Sequence, residues 1–112
     1  VLVNPTAVRV PVFFGHGESL HIETKSPISA EEVKELLSNS PGLVVCHNDE
    51  DFPTQISDAS GKDETFVGRI REDISHNSGI NMWIVADNVR KGAATNSVQI
   101  AELLIKDHLS EY

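Results

Sequence analysis

Sulfur, aromatic rings and basic side chains are all scarce in this sequence, and so are long apolar runs. One cysteine among 112 residues excludes an internal disulfide and suits a reducing compartment, so a cytoplasmic location is expected. Nine Lys and Arg stand against seventeen Asp and Glu, a net charge of −8 at pH 7. That balance disfavours a nucleic-acid backbone or an anionic membrane surface as partner. No apolar run approaches the roughly 18 residues of a membrane span. No basic, apolar leader with a small-residue cleavage site precedes Val1, so no secretion signal is expected. Internal repeats, low-complexity tracts and a GxGxxG fingerprint are all missing. His47, Asp49 and Asp51 have metal-ligand chemistry, but no second cluster accompanies them, so no metal is expected.

What remains is one domain, residues 1–112, with room for a single core and a modest stability margin. An opening on Val1, with strand-like sequence almost at once, reads as a piece of a longer protein. Val8, Val10, Val12 and Phe14 fall on one face by the two-residue period, which predicts a strand ending at Gly15-His16-Gly17. A second strand, with Leu20 and Ile22 inward, is expected to close an antiparallel hairpin with it. Residues 29–38 read as a helix, with Ser29 and Glu32 as a capping box and Ile28 and Val33 as a staple. Val33, Leu36 and Leu37 form its buried stripe. Leu43 to Cys46 is a short strand, and residues 47–63 lose all periodicity, a long loop that Phe52 and Ile56 are expected to pin. A strand over Thr65–Arg71 puts Phe66, Gly68 and Ile70 on one face, with Arg69 and Arg71 near the other. After a polar turn, Ile80–Ala86 is apolar on both faces, the pattern of a central strand. A final helix from about Lys91 to His108 spreads Val98, Ile100, Ala101, Leu103, Leu104 and Ile105 beyond one stripe, so it wants neighbours on most sides.

Two residues carry the most chemistry. Arg9 is a planar cation suited to holding a carboxylate with two hydrogen bonds. His16, between two glycines, is a proton carrier at neutral pH. Pattern alone leaves the plain alternatives open: a solvated strand charge and a polar loop histidine. The two lie seven residues apart, which in a straight strand is roughly 20 Å and opposite faces. Sharing one small substrate requires a bend, expected at Pro11 or where Phe14 gives way to Gly15.

Four stretches resemble, in order, the C-terminal catalytic domain of bacterial aspartate-semialdehyde dehydrogenases. They are Thr6-Ala7-Val8-Arg9-Val10-Pro11-Val12-Phe13-Phe14-Gly15-His16, Phe66-Val67-Gly68-Arg69-Ile70-Arg71, Gly79-Ile80-Asn81-Met82-Trp83, and Ala86-Asp87-Asn88-Val89-Arg90-Lys91-Gly92-Ala93-Ala94. Together they span nearly the whole chain, but only the last third of such an enzyme. The resemblance implies an α+β fold, a mixed and mainly antiparallel sheet covered by helices, like the C-terminal domain of glyceraldehyde-3-phosphate dehydrogenase. It implies NADPH-dependent reduction of aspartyl 4-phosphate to aspartate 4-semialdehyde with release of phosphate, a step toward lysine, threonine and methionine. It makes His16 the acid/base residue, Arg9 the substrate-binding residue and Asn88 a contact to NADP, half of whose pocket is present. It further implies a homodimer built through the sheet, and residues 91–112 packing on a nucleotide-binding domain outside this sequence.

The family's nucleophilic cysteine lies upstream of this sequence. Cys46 has no Arg or Lys as sequence neighbour to lower its pKa, so it is expected to be structural. The chain alone is therefore expected to be inactive. Small residues at the start of the last helix leave free amides that attract anions. The alternative function is a standalone, non-catalytic α+β module for dimerisation or regulation. A related semialdehyde or acyl-phosphate reductase also remains open.

Overall fold

The computed structural model describes residues 1–48, 50 and 52–109. It is α+β: strands β1 (His16–Glu23), β2 (Leu43–Val45), β3 (Thr65–Glu72) and β4 (Gly79–Ala86), with helices α1 (Ala30–Ser38) and α2 (Thr95–Leu104). The strands form one mixed sheet in the order β1-β4-β3-β2. β4 pairs antiparallel with both β1 and β3, and β2 runs parallel to β3. β4 is central, as its two apolar faces require.

Helix α1 covers one face. Ser29 caps it and Glu32 returns the bond to the Ser29 N–H, so two otherwise orphaned amides are satisfied. Glu72, at the end of β3, accepts the next one, Ala30 N–H, at 2.8 Å. Ala30 and Val33 then pack with Val67, Ile70, Ile80 and Met82, and Leu20, Ile28, Leu37, Val45 and Ile84 close the margin. Leu36, expected in this stripe, is exposed. The helix meets the sheet through Ala30, Val33 and Leu37 instead.

Three further expectations change. First, residues 8–14 form no strand, and no hairpin joins them to β1. Among the described residues β1 pairs with β4 alone, and no strand pairs with residues 8–14. Pro11 cannot donate, and Val12 N–H instead closes a tight turn onto Val10 O at 2.9 Å. Second, β3 carries a bulge. Between the pairs Gly68↔Trp83 and Arg71↔Asn81, β3 advances one residue more than β4, and Arg69 takes the extra place at φ +53°. The bulge brings Val67 and Ile70, three apart, onto the same buried face. Third, Phe52 and Ile56 are exposed, and the long loop is pinned by buried Pro53 and Ala59. Within it, Gln55–Ala59 makes one wide helical turn capped by Thr54. Trp83 Nε1 donates to Pro53 O at 2.8 Å, and Pro53 rests where a Gly68 side chain would stand.

The last helix is longer than α2 itself. A wide turn over Arg90–Ala94 leads in, and another over Ile105–Leu109 follows. Val98, Ile100, Leu103, Leu104, Ile105 and Leu109 are all exposed. Among the described residues no helix is long and apolar enough to cross a membrane.

Candidate active site

His16 is the first residue of β1, paired with Ala86 at the end of β4. Both flanking glycines are required. Gly15 has φ +80°, and a Cβ there would lie 3.1 Å from Gln55 Cβ and 3.2 Å from Ala86 O. At Gly17 a Cβ would fall 2.4 Å from the Trp83 ring. Before and after the imidazole the backbone is therefore pressed against both β4 and Gln55.

The β4 end supplies the second wall. Gly15 N–H donates to Asn88 Oδ1 at 3.1 Å. Gly92 lies beside both residues, since a Cβ on it would stand 3.6 Å from His16 Cε1 and 3.8 Å from Asn88 Cβ. His16, Asn88 and Gly92, some seventy residues apart in sequence, are thus brought together. On its other side His16 Nε2 is 3.2 Å from Glu18 Oε1, and both side chains are about half exposed.

Asp87 holds this corner. It is buried, and its carboxylate accepts Gly61 N–H and Val89 N–H, each at 2.8 Å, and Arg90 N–H at 3.2 Å. The Gly61 and Val89 amides hold its pKa below the usual aspartate value against the opposing effect of burial. Gly92 N–H goes to Asp87 O. Of the amides at the start of the last helix, those of Gly92 and Ala94 are thus taken by the backbone carbonyls of Asp87 and Val89, and those of Val89 and Arg90 by the Asp87 carboxylate. Next along, Asp63 accepts from the Thr95 hydroxyl at 2.6 Å and from Arg90 Nη1, which likewise depresses its pKa. Asp87 was readable as a helix-capping aspartate directly after a strand. Glu18 was readable as sharing a strand face with His16, two residues on. The closeness of Gln55 had no signal in sequence.

Arg9 lies in the exposed segment before Gly15 and, among the described residues, makes no hydrogen bond or ion pair. The chain turns at Pro11 and at left-handed Gly15, but among the described residues no hydrogen bond, ion pair or shared pocket links Arg9 to His16. Cys46 follows β2 and donates its N–H to Val67 O at 2.8 Å. It stands at the opposite edge of the sheet from β1, away from His16. Among the described residues no group of three His, Cys, Asp or Glu could hold a metal. Asp49 and Asp51, weighed with His47 as ligands, lie outside the described residues, as do 110–112 of the final segment.

Asn88 is exposed, and with its oxygen committed to Gly15 its two amide N–H donors remain. Gly92 leaves room beside it.

Residues 2–91 match the semialdehyde dehydrogenase dimerisation domain. The chain is 61% identical over 108 residues to aspartate-semialdehyde dehydrogenase 2 of Vibrio cholerae, covering 96% of this chain and 32% of that protein. It is 54% identical over 111 residues to the Aquifex aeolicus aspartate-semialdehyde dehydrogenase, covering 97% of this chain and 32% of the relative. The crystal structure of Vibrio cholerae aspartate semialdehyde dehydrogenase II complexed with ASA superposes with a TM-score of 0.87 at 62% identity, over 94% of this chain and 31% of that one. A probable aspartate-semialdehyde dehydrogenase from Pseudomonas aeruginosa gives 0.77 at 43% identity, over 88% and 29%. The chain spans about a third of the length of these relatives. With its four-stranded mixed sheet and its match over most of its length, it belongs to the dimerisation-domain family of the semialdehyde dehydrogenases.

Proposed function

We propose that this chain is the substrate-binding and dimerisation part of an NADP-dependent aspartate-semialdehyde dehydrogenase of the cytoplasm. The observation that carries the reading is the meeting of His16 with Asn88 and Gly92 at one corner of the sheet. A non-catalytic pairing module has no need of it.

His16 takes the proton from the nucleophilic thiol of the nucleotide-binding half and later returns it, so that the thiolate can attack and leave. Arg9 holds the substrate carboxylate once the exposed N-terminal segment is ordered against the other half. Asn88 offers its amide donors to the cofactor, which when bound supplies or accepts hydride. The exposed apolar residues of α2 and the wide turn after it pack on that same half. A second copy of the chain meets the sheet face turned away from α1, where Ser19 and His21 flank Trp83 and Asn81.

The test mixes this chain with a separately produced nucleotide-binding half. NADP-dependent, phosphate-dependent oxidation of aspartate semialdehyde is expected, lost on His16→Ala and kept on Cys46→Ala. Loss with Cys46→Ala in a protein that still folds would overturn the assignment of the nucleophile. Activity retained by His16→Ala would overturn that of the base.

A further inference from the structure

We propose that Gln55 is a positioning residue for His16, a wedge that the aperiodic loop after β2 holds behind the backbone carrying the imidazole. The inference rests on the reading of His16 as acid/base and names the side chain that fixes where its ring stands.

The loop is tied down on both sides of Gln55. Before it, Pro53 is buried, and its ring stands 2.6 Å from where a Gly68 Cβ would lie. The Pro53 carbonyl accepts Trp83 Nε1–H at 2.8 Å. Around Gln55 itself, Thr54 closes the turn: its hydroxyl accepts Ser57 N–H at 3.0 Å, and its N–H donates to Asp58 Oδ2 at 2.7 Å. After it, Ala59 is fully buried, and Gly61 N–H donates to the buried Asp87 carboxylate at 2.8 Å. A segment with buried contacts and satisfied backbone groups at each end opens rarely. None of these ties runs through the Gln55 side chain, so the loop does not need that side chain to stay in place.

What the side chain does instead is span both glycines that flank His16. A Cβ on Gly15 would stand 3.1 Å from Gln55 Cβ and 3.5 Å from its Cγ, and a Cβ on Gly17 would stand 2.8 Å from its Nε2. Neighbouring residues of a strand face opposite ways, so a group lying against Gly17 backs β1 behind the imidazole and leaves the ring open to a substrate. The Gln55 amide makes no hydrogen bond among the described residues, and its contribution is bulk. Two glycines would by themselves leave His16 on the most pliable backbone available. The wedge they make room for removes that freedom. An acid/base group displaced by an ångström loses much of its effect, so bulk at this one place acts on the reaction without touching the reacting atoms.

The experiment has two arms. In this chain, hydrogen exchange of the Gly15 amide, which Asn88 holds, should quicken about tenfold on Gln55→Ala. The core amides of Val67 and Ile80 and the urea midpoint should stay where they are. Gln55→Met keeps the length and bulk without the amide, and should keep the wild-type exchange rate. In the enzyme reconstituted with its nucleotide-binding half, Gln55→Ala should lower kcat about ten- to a hundredfold with little change in KM for aspartate semialdehyde. Gln55→Met should restore most of that loss. A Gln55→Ala variant with the Gly15 exchange or the kcat of the wild type would overturn the proposal. So would a Gln55→Met variant no better than Gln55→Ala, or a fall in urea midpoint large enough to account for the lost activity. A reconstituted wild type without activity would sink the functional reading instead, and leave Gly15 exchange to judge Gln55.

Discussion

The two ends of this chain are richer in apolar residues than its middle, yet they bury far less of them. In the middle, Ile80, Val67 and Val85 keep 2% or less of their surface in contact with solvent. At the ends, Phe13 stays 99% exposed and Leu103 56%. Apolar residues are buried only where the chain itself supplies an opposing surface. The sheet and α1 supply one to each other. Among the described residues the segment before Gly15 and much of the helix from Arg90 meet no such surface, in a chain about a third of the length of its relatives.

The contrast breaks most visibly in the core. Ile80→Ala leaves a cavity under α1 at the central strand and should cost about 3 kcal/mol, read as a lower urea midpoint with an unchanged slope. A loss below about 0.5 kcal/mol would mean that the sheet is not the stable unit of the molecule.

Legibility followed the same division. The capping box at Ser29 and Glu32 and the doubly apolar run of β4 were readable because local chemistry and the final environment agree there. The alternation of Val8, Val10, Val12 and Phe14 was equally regular and yet made no strand. Period describes a face, whereas a strand also needs a neighbour with free backbone groups. The bulge at Arg69 was hidden for another reason: one extra residue alters register without altering composition. At the site, His16 was singled out by its place between two glycines, and its role and Asn88 came from the resemblance. Their meeting depends on the Gly15–Asn88 hydrogen bond and on Asp87 drawing Gly61 and the start of the last helix together, contacts between distant parts of the chain that no local pattern encodes.

Asp87 sharpens the comparison at the seam between the regions. Its folded-state pKa is depressed by the Gly61 and Val89 amides, so the stability it contributes is present above the ordinary aspartate value of about 3.9. That contribution is lost as pH falls through the lower folded value. Asp87→Asn should therefore be less stable than the wild type at neutral pH, with the gap closing below about pH 4. The effect should be smaller than that of Ile80→Ala, and unfolding midpoints of both proteins across pH would measure it. A gap that persists unchanged at acid pH would show that the carboxylate's charge contributes nothing.

The smallest effect is expected at the ends, and its smallness is informative. Leu103→Ala and Phe13→Ala remove side chains that are already largely in water, so each should change the stability of this chain by less than about 0.5 kcal/mol. The same substitutions should weaken association with the nucleotide-binding half, because the area they would bury there is available only in the complex. Denaturation of the chain alone and titration with its other half, made on the same variants, separate the two contributions. A large loss in the isolated chain would mean that the ends already pack on the sheet in solution. Unchanged association would mean that the bare helix serves some contact other than the one proposed.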